Sequence, residues 1–444
     1  MKVDRRTRSQ NAFSARVDEL THAAILDGAT DFQALLHRLA SVYPTDLLAS
    51  IDRLARRGLI PPAAAESYRL QASRNGAGST EGRSLLPLPH PLDFEWRFTA
   101  DSARELLNRT AGMTPVGGDI LLFGTPGLAV EAMTLPIANR IAFLAENNVV
   151  TSRISALNEA TGSPLSIAYC GGGLPIESAD AVILDPPWYP DFLRPMLLAA
   201  AHACRIDGVV LISLPPDGTC ASAEVNRNSA MLFAKGLGLE VLEHDIKAVC
   251  YESPFFERNS LAAEGIFPPP HWRRGDIVVF RKKQAPTRPA LPASTRRKDW
   301  VEVGIGRMRL FIRANSQPFS NDPSLASIVE GDVLRSVSRR DPRRAKAQIW
   351  TTGNRIFRSD NPQLLLDAAI TCSGERLNSG VQPPLWGSIA ERDSIERVAD
   401  QLLALAKLEA LEEQGYPVVV AERNGTWRSN TTPYWSRLKA TISG

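Results

Sequence analysis

The chain is poor in cysteine and spreads it thinly. Cys170, Cys204, Cys220, Cys250 and Cys372 form no Cys-x-x-Cys pair and have no histidine at ligand spacing beside them. That argues against a structural zinc site and a disulfide scaffold, and it fits a reducing cytoplasm. The six histidines make no pair at metal or triad spacing. Ser213 and Ser253 lack the Gly-x-Ser-x-Gly setting of a hydrolase elbow. Charge of one sign is also lacking. With 51 Lys and Arg against 48 Asp and Glu, the net charge is +3, so any nucleic-acid contact must rest on local patches. No apolar run approaches the roughly 18 residues of a membrane helix. Residues 1–16 carry Arg5, Arg6 and Arg8 without the apolar centre of a signal peptide, and are expected to be disordered.

What remains is a chain of 444 residues, 44% hydrophobic, long enough for about two to four domains. Residues 17–71 read as a compact helical module. Val17, Leu20, Ala24 and Ile25 form one stripe; Asp31 is placed to cap a second helix bearing Phe32, Leu35 and Leu36; Leu47, Ile51 and Leu54 follow. Its ending, Arg56-Arg57-Gly58-Leu59-Ile60, resembles a winged-helix or helix-turn-helix module. Arg53, Arg56 and Arg57 would then touch DNA, or the module would bind a protein partner or a second copy. Residues 72–93, rich in Ser, Gly, Asn and Pro, read as a linker.

Between residues 94 and 284 strands and helices alternate. Strands are expected at 119–123, 140–144, 166–169, 181–184, 208–214, 240–246 and 276–281, with helices between most of them. This alternation implies an α/β domain with a mainly parallel, doubly wound sheet and an antiparallel end. Residues 285–299 read as a second linker. Residues 300–444 read as an α+β domain: a strand pair around Gly304 or Gly306, another turning at Gly353-Asn354, and a helix with Ile395, Val398, Leu402, Leu405, Leu408 and Leu411 on one stripe. The basic run Arg339, Arg340, Arg343, Arg344 and Lys346 is either a phosphate grip or a solvated loop.

One stretch concentrates chemistry. The apolar run Ala181-Val182-Ile183-Leu184 stops at Asp185-Pro186-Pro187-Trp188-Tyr189. In open α/β sheets ligands bind beyond the carboxyl ends of the strands. Prolines stiffen that turn and leave carbonyls free to accept hydrogen bonds. An acid, rigid carbonyls and a flat aromatic together suit an amino group.

With Gly124-Thr125-Pro126-Gly127 after the first strand, the central domain resembles a class I S-adenosylmethionine-dependent methyltransferase, and Asp185-Pro186-Pro187-Trp188 is similar to the motif of its amino-methyltransferases. The resemblance implies a Rossmann-like domain that binds S-adenosyl-L-methionine through Gly124, Thr125 and Gly127. It implies that Glu146, or Asn147 or Asn148 in its stead, holds the ribose, and that Cys170 and Gly171 lie near adenine. The target amine would give its hydrogens to Asp185 and the Pro186 carbonyl, with Trp188 or Tyr189 stacked on a planar acceptor, and methyl transfer would be an in-line displacement. The acceptor would be a small-molecule or nucleic-acid amine. The chain departs from the family pattern at Phe123, where an acid is usual, at Pro126, and at Cys170-Gly171-Gly172-Gly173. Tyr251, Phe255 and Phe256 are a substrate wall or lid, or else a hydrophobic plug.

The helical start, the Asp-Pro-Pro-aromatic turn and a late Trp272-Arg273-Arg274-Gly275-Asp276 are also similar to branched-chain polyamine synthases. That resemblance implies aminopropyl transfer from decarboxylated S-adenosylmethionine. A third reading is a non-catalytic, methyltransferase-shaped binding protein, its outer domains recruiting a partner.

Overall fold

The computed structural model describes residues 5–74, 85–145, 147–169, 177–287, 299–313, 318–373 and 389–415. Four helices open the chain: α1 (Arg5–Leu26), α2 (Phe32–Arg38), α3 (Pro44–Arg56) and α4 (Pro62–Ala72). Asp31 caps α2, its Oδ1 accepting from the Ala34 N–H at 2.7 Å, and prolines start α3 and α4, where a missing N–H costs nothing. Val17, Leu35, Leu47 and Ile51 are wholly buried between them. One expectation is corrected. Helix α1 begins at Arg5, inside the stretch expected to be disordered, and Phe13 packs on the module's core. No strand occurs among the described residues of this module, so the helical part of the expectation is seen and a wing is not.

The arginines expected to touch DNA, or a partner, are engaged within their own module. Arg53 donates to both oxygens of buried Asp18, with Nη2 at 2.8 Å, and Arg57 reaches the same carboxylate at 3.5 Å. Arg56 donates to the Asp52 carbonyl. Removing one partner of a buried pair strands the other. Asp18→Ala should therefore destabilise the chain by about 1–3 kcal/mol, read as a lower urea midpoint with an unchanged slope.

The segment after α4, expected to belong to a linker over 72–93, is a packed strap from residue 85 onward. Leu86, Leu88 and His90 are buried. His90 Nε2 lies 3.2 Å from the Trp350 carbonyl, and Arg309 donates to the Leu88 carbonyl at 3.0 Å.

The central domain follows as α5 (Ala100–Met113), β1 (Asp119–Phe123), α6 (Pro126–Ala132), β2 (Arg140–Ala145), α7 (Asn148–Thr161), β3 (Ser166–Tyr169), β4 (Ala179–Leu184), α8 (Pro190–Ala203), β5 (Cys204–Leu214), α9 (Ala223–Gly236), β6 (Leu239–Tyr251), α10 (Phe255–Ala262) and β7 (Arg273–Lys282). The strand order is 3-2-1-4-5-7-6. Strands β1 to β5 pair in parallel, while β7 runs antiparallel to both β5 and β6. This is a Rossmann-like, doubly wound sheet with its antiparallel strand one place in from the end. Strands β1 and β4 lie at its centre, buried on both faces, which is why they read as unbroken apolar runs.

The C-terminal domain is α+β. Strands β8 (Val301–Ile305), β9 (Met308–Ile312), β10 (Ala326–Ser327), β11 (Ile349–Thr351) and β12 (Ile356–Arg358) form a second sheet, covered by α11 (Pro362–Ser373) and α12 (Ile389–Glu413). Both expected hairpins are there, turning at Gly306 and Asn354, each with positive φ. The α12 stripe from Ile395 to Leu408 is core. Residues 416–444 lie outside the described residues. Among the described residues no helix is long and apolar enough to cross a membrane.

Candidate active site

Sheet register brings the candidate residues together. Phe123 on β1 pairs with Leu184 on β4, so the Gly124 turn and Asp185 stand side by side at the carboxyl edge. Leu184 pairs with Ile212 on β5, which sets Ser213 on the other side of Asp185. Strand β7 then places Gly275 between β5 and the end of β6, where Tyr251 stands.

These strands build a hydrogen-bonded relay. The Tyr251 hydroxyl donates to Asp185 Oδ1 at 2.7 Å, and Ser213 Oγ lies 2.5 Å from the same hydroxyl. Tyrosine has one hydroxyl hydrogen, so with that hydrogen on Asp185 the serine is the donor to Tyr251. Tyr251 and Ser213 are fully buried. Gly275 makes room for both: a Cβ there would stand 2.7 Å from Ser213 Oγ and 2.9 Å from Tyr251 Cε2. Phe98 packs on the Tyr251 ring at 4.8 Å, and Trp188 meets it edge-on at 5.7 Å.

Burial pushes the Asp185 carboxyl up to about 8, against the pull of the Tyr251 hydrogen bond and of the Ser213 hydroxyl behind it; Glu95 adds to the rise. Asp185 keeps part of its surface open to solvent, so the apolar walls rather than full enclosure set its environment. Burial and the adjacent Asp185 hold the Tyr251 phenol well above its ordinary range, so it acts as a donor.

The rest of the motif divides its tasks. The Pro187 carbonyl is taken by the Tyr189 N–H at 2.6 Å. Among the described residues none donates to the Pro186 carbonyl. Asn226 donates to the Trp188 carbonyl at 3.3 Å. Tyr189, expected as a stacking surface, has the Arg339 guanidinium over its ring at 4.7 Å and Phe94 against it at 6.3 Å. Trp188 carries no such cation over its ring among the described residues.

On the cofactor side, Gly124 has φ +66°, and a Cβ there would come within 3.3 Å of Met196 Cε. Thr125 is buried and its hydroxyl has no partner among the described residues. Gly127 lies under the strap, 3.8 Å from the Arg97 Cβ as measured from a Cβ placed on it. Asn147 caps α7 through Oδ1, which accepts from Val149 N at 3.0 Å, so a structural task accounts for that oxygen. Glu146, Cys170 and Gly171 lie outside the described residues. Phe123 is in the sheet core.

Phe255 and Phe256 do not form a lid. Both are almost wholly buried in the first turn of α10, with Phe256 edge-on to Trp96 at 5.2 Å. Of the three aromatics only Tyr251 reaches Asp185. Sequence reasoning missed Glu95, Gly275 and the part played by Ser213. Ser213 ends an apolar strand at the same edge as Asp185, a signal that was available; Gly275 becomes visible only once β7 is known to lie between β5 and β6.

The basic run near residue 340 is mostly engaged. Arg339 pairs with Asp191 at 2.7 Å and Arg343 with Asp341 at 2.6 Å, while Arg344 is buried between Phe94 and Trp350. Arg340 and Lys346 are exposed.

No protein-family model matches the chain, and no curated protein does. Among solved structures it is similar to a mutein of the branched-chain polyamine synthase from Thermus thermophilus, in complex with N4-aminopropylspermidine and 5'-methylthioadenosine. Identity there is 16%, over 66% of this chain and 96% of that one, with a TM-score of 0.48. It is also similar to a methyltransferase from Pyrococcus furiosus (16% identity, 42% and 84% of the two chains, TM-score 0.29). An N-methyltransferase from Bradyrhizobium japonicum matches at 12% identity, over 41% and 96%, with a TM-score of 0.29.

Proposed function

We propose that this protein is an S-adenosylmethionine-dependent N-methyltransferase acting on an adenine-like exocyclic amine or a related planar amine. The observation that carries the reading is the Asp185–Tyr251–Ser213 relay beside the Pro186 carbonyl, to which no described residue donates, one strand from the Gly124 turn. Bound S-adenosylmethionine would supply an electrophilic methyl group. Gly124 gives it close backbone approach, and the orphaned Thr125 hydroxyl offers a hydrogen bond at the same edge. Asp185 and the Pro186 carbonyl accept the two amine hydrogens, which makes the nitrogen more pyramidal and its lone pair more available. Asp185 then takes the proton that the methylated nitrogen releases. Tyr251 and Ser213 fix the carboxylate's direction, and Trp188 stacks on the acceptor's flat face.

The arginines at 53, 339 and 344, engaged by Asp18, by Asp191 and by the Phe94 and Trp350 rings, favour a small-molecule acceptor over nucleic acid. Free buried thiols at Cys204 and Cys250 suit the cytoplasm.

Calorimetry tests this with three ligands. S-adenosylmethionine and S-adenosylhomocysteine should bind, and decarboxylated S-adenosylmethionine should bind more weakly, because without its carboxylate the ligand carries one more net positive charge and apolar Phe123 replaces the acid that would offset it. Preference for the decarboxylated form would replace methyl transfer by aminopropyl transfer. No binding of any of the three would overturn both and leave a non-catalytic binding protein.

A further inference from the structure

We infer that the C-terminal domain is a working part of the transfer site, through Arg339 as a positioning residue for the Pro187-Trp188-Tyr189 turn; the inference rests on reading that turn as the acceptor shelf. Tyr189 starts α8, its carbonyl accepting from the Phe192 and Leu193 N–H groups at 2.9 Å. Whatever holds Tyr189 therefore holds the junction between the shelf and its helix. Arg339, from the C-terminal domain, grips that junction in two ways. Its Nη1 lies 2.9 and 2.7 Å from the two oxygens of Asp191, in the first turn of α8. Its guanidinium carbon sits 4.7 Å from the centre of the Tyr189 ring and 5.6 Å from that of Phe192.

The grip is backed from behind. Phe94 wedges against both rings, at 6.3 Å from Tyr189 and 5.4 Å from Phe192. It does so with φ +53°, a backbone state that a bulky residue adopts only when its surroundings impose it. Behind Phe94 lies Arg344, 5.3 Å from that ring and 4.4 Å from the Trp350 ring on β11. Arg344 is buried and donates to the Pro91 and Val337 carbonyls at 3.0 and 3.2 Å. A continuous series of packed rings and guanidinium groups thus runs from the second sheet to the turn after Asp185. Arginine suits this place because one planar group can stack on a ring while its edge meets a carboxylate; a lysine ammonium offers a point charge and no stacking face.

The test uses the full chain labelled with 5-fluorotryptophan, with the Trp188 fluorine resonance assigned by its loss in Trp188→Phe. In Arg339→Ala and in Arg339→Lys, the Trp188 resonance should shift and broaden while most other resonances keep their places. An unmoved Trp188 resonance in Arg339→Ala would overturn the inference. So would a lysine variant indistinguishable from the parent, since charge alone would then suffice. General displacement of the resonances in both variants would also overturn it, by making Arg339 a support of the whole fold. None of these readouts depends on turnover, so failure of the calorimetry would not be mistaken for failure here.

Discussion

Asp185→Asn should lower transfer to the amine by about 10²–10⁴-fold while leaving S-adenosylmethionine affinity unchanged. The amide keeps the shape and one acceptor oxygen, but it cannot take the proton that the methylated nitrogen must lose. The residue stands at the acceptor side of the edge, so the Gly124 side should not register the change. Calorimetry and single-turnover transfer, run on one preparation, separate the two effects. Equal loss of both would place Asp185 in cofactor binding and sink the acceptor assignment.

The same substitution has a second consequence with a definite sign. The folded-state carboxyl titrates at about 8, above the roughly 3.9 of an unfolded aspartate. A raised value means that the folded state holds the proton more tightly, so its stabilising contribution is complete below about 4 and is lost as pH rises through about 8. Asp185→Asn removes the titrating group. Its stability should match the parent's near pH 4 and exceed it increasingly toward pH 8, by about 1–3 kcal/mol once partial exposure is allowed for. Melting curves across that range check this. In the parent, transfer at limiting acceptor should rise with pH through the same region, where Asp185 becomes able to accept. Tyr251→Phe removes the hydrogen bond that the Tyr251 hydroxyl donates to the carboxyl and that pulls it down, so it should move that limb to higher pH.

Much of the scaffold was legible because central strands of a doubly wound sheet are apolar on both faces. The runs at β1 and β4 stand out against the polar turns that follow them, and Asp185 sits where the second run breaks. Legibility ended where partners come from distant positions. Tyr251 and Ser213 are 38 residues apart and Asp185 and Tyr251 are 66 apart. They meet because β7 runs back between β5 and β6, and no local pattern announces that. Phe255 and Phe256 could be read as a wall or as a hydrophobic plug, and their burial fits the plug. An aromatic run after a strand looks like a wall, yet both rings are buried in the first turn of α10, with Phe256 edge-on to Trp96. The arginines of α3 look basic in sequence because Asp18, which neutralises two of them, lies on another helix.

Gly275→Ala should damage the site more than one methyl group suggests. The new Cβ would stand 2.7 Å from Ser213 Oγ, 2.9 Å from Tyr251 Cε2 and 3.2 Å from Val249 Cγ2. Gly275 lies on a strand bonded on both sides, so backbone escape is restricted, and all three neighbours are buried. Overpacking of this kind costs about 1–3 kcal/mol. The ring of Tyr251 has the hydroxyl that matters at its far end, so a small tilt at Cε2 withdraws the donor from Asp185. With the donor withdrawn the carboxyl rises further, and the acid limb of transfer should move up in pH as in Tyr251→Phe. Ser213→Ala in the same chain removes the closest clash but leaves the Tyr251 contact. The double variant should therefore recover part of the lost stability and little of the lost transfer. Full recovery of transfer would show that the alanine acted through packing at Ser213 alone, and that the hydrogen bond from Tyr251 to Asp185 is not what the site needs from this glycine.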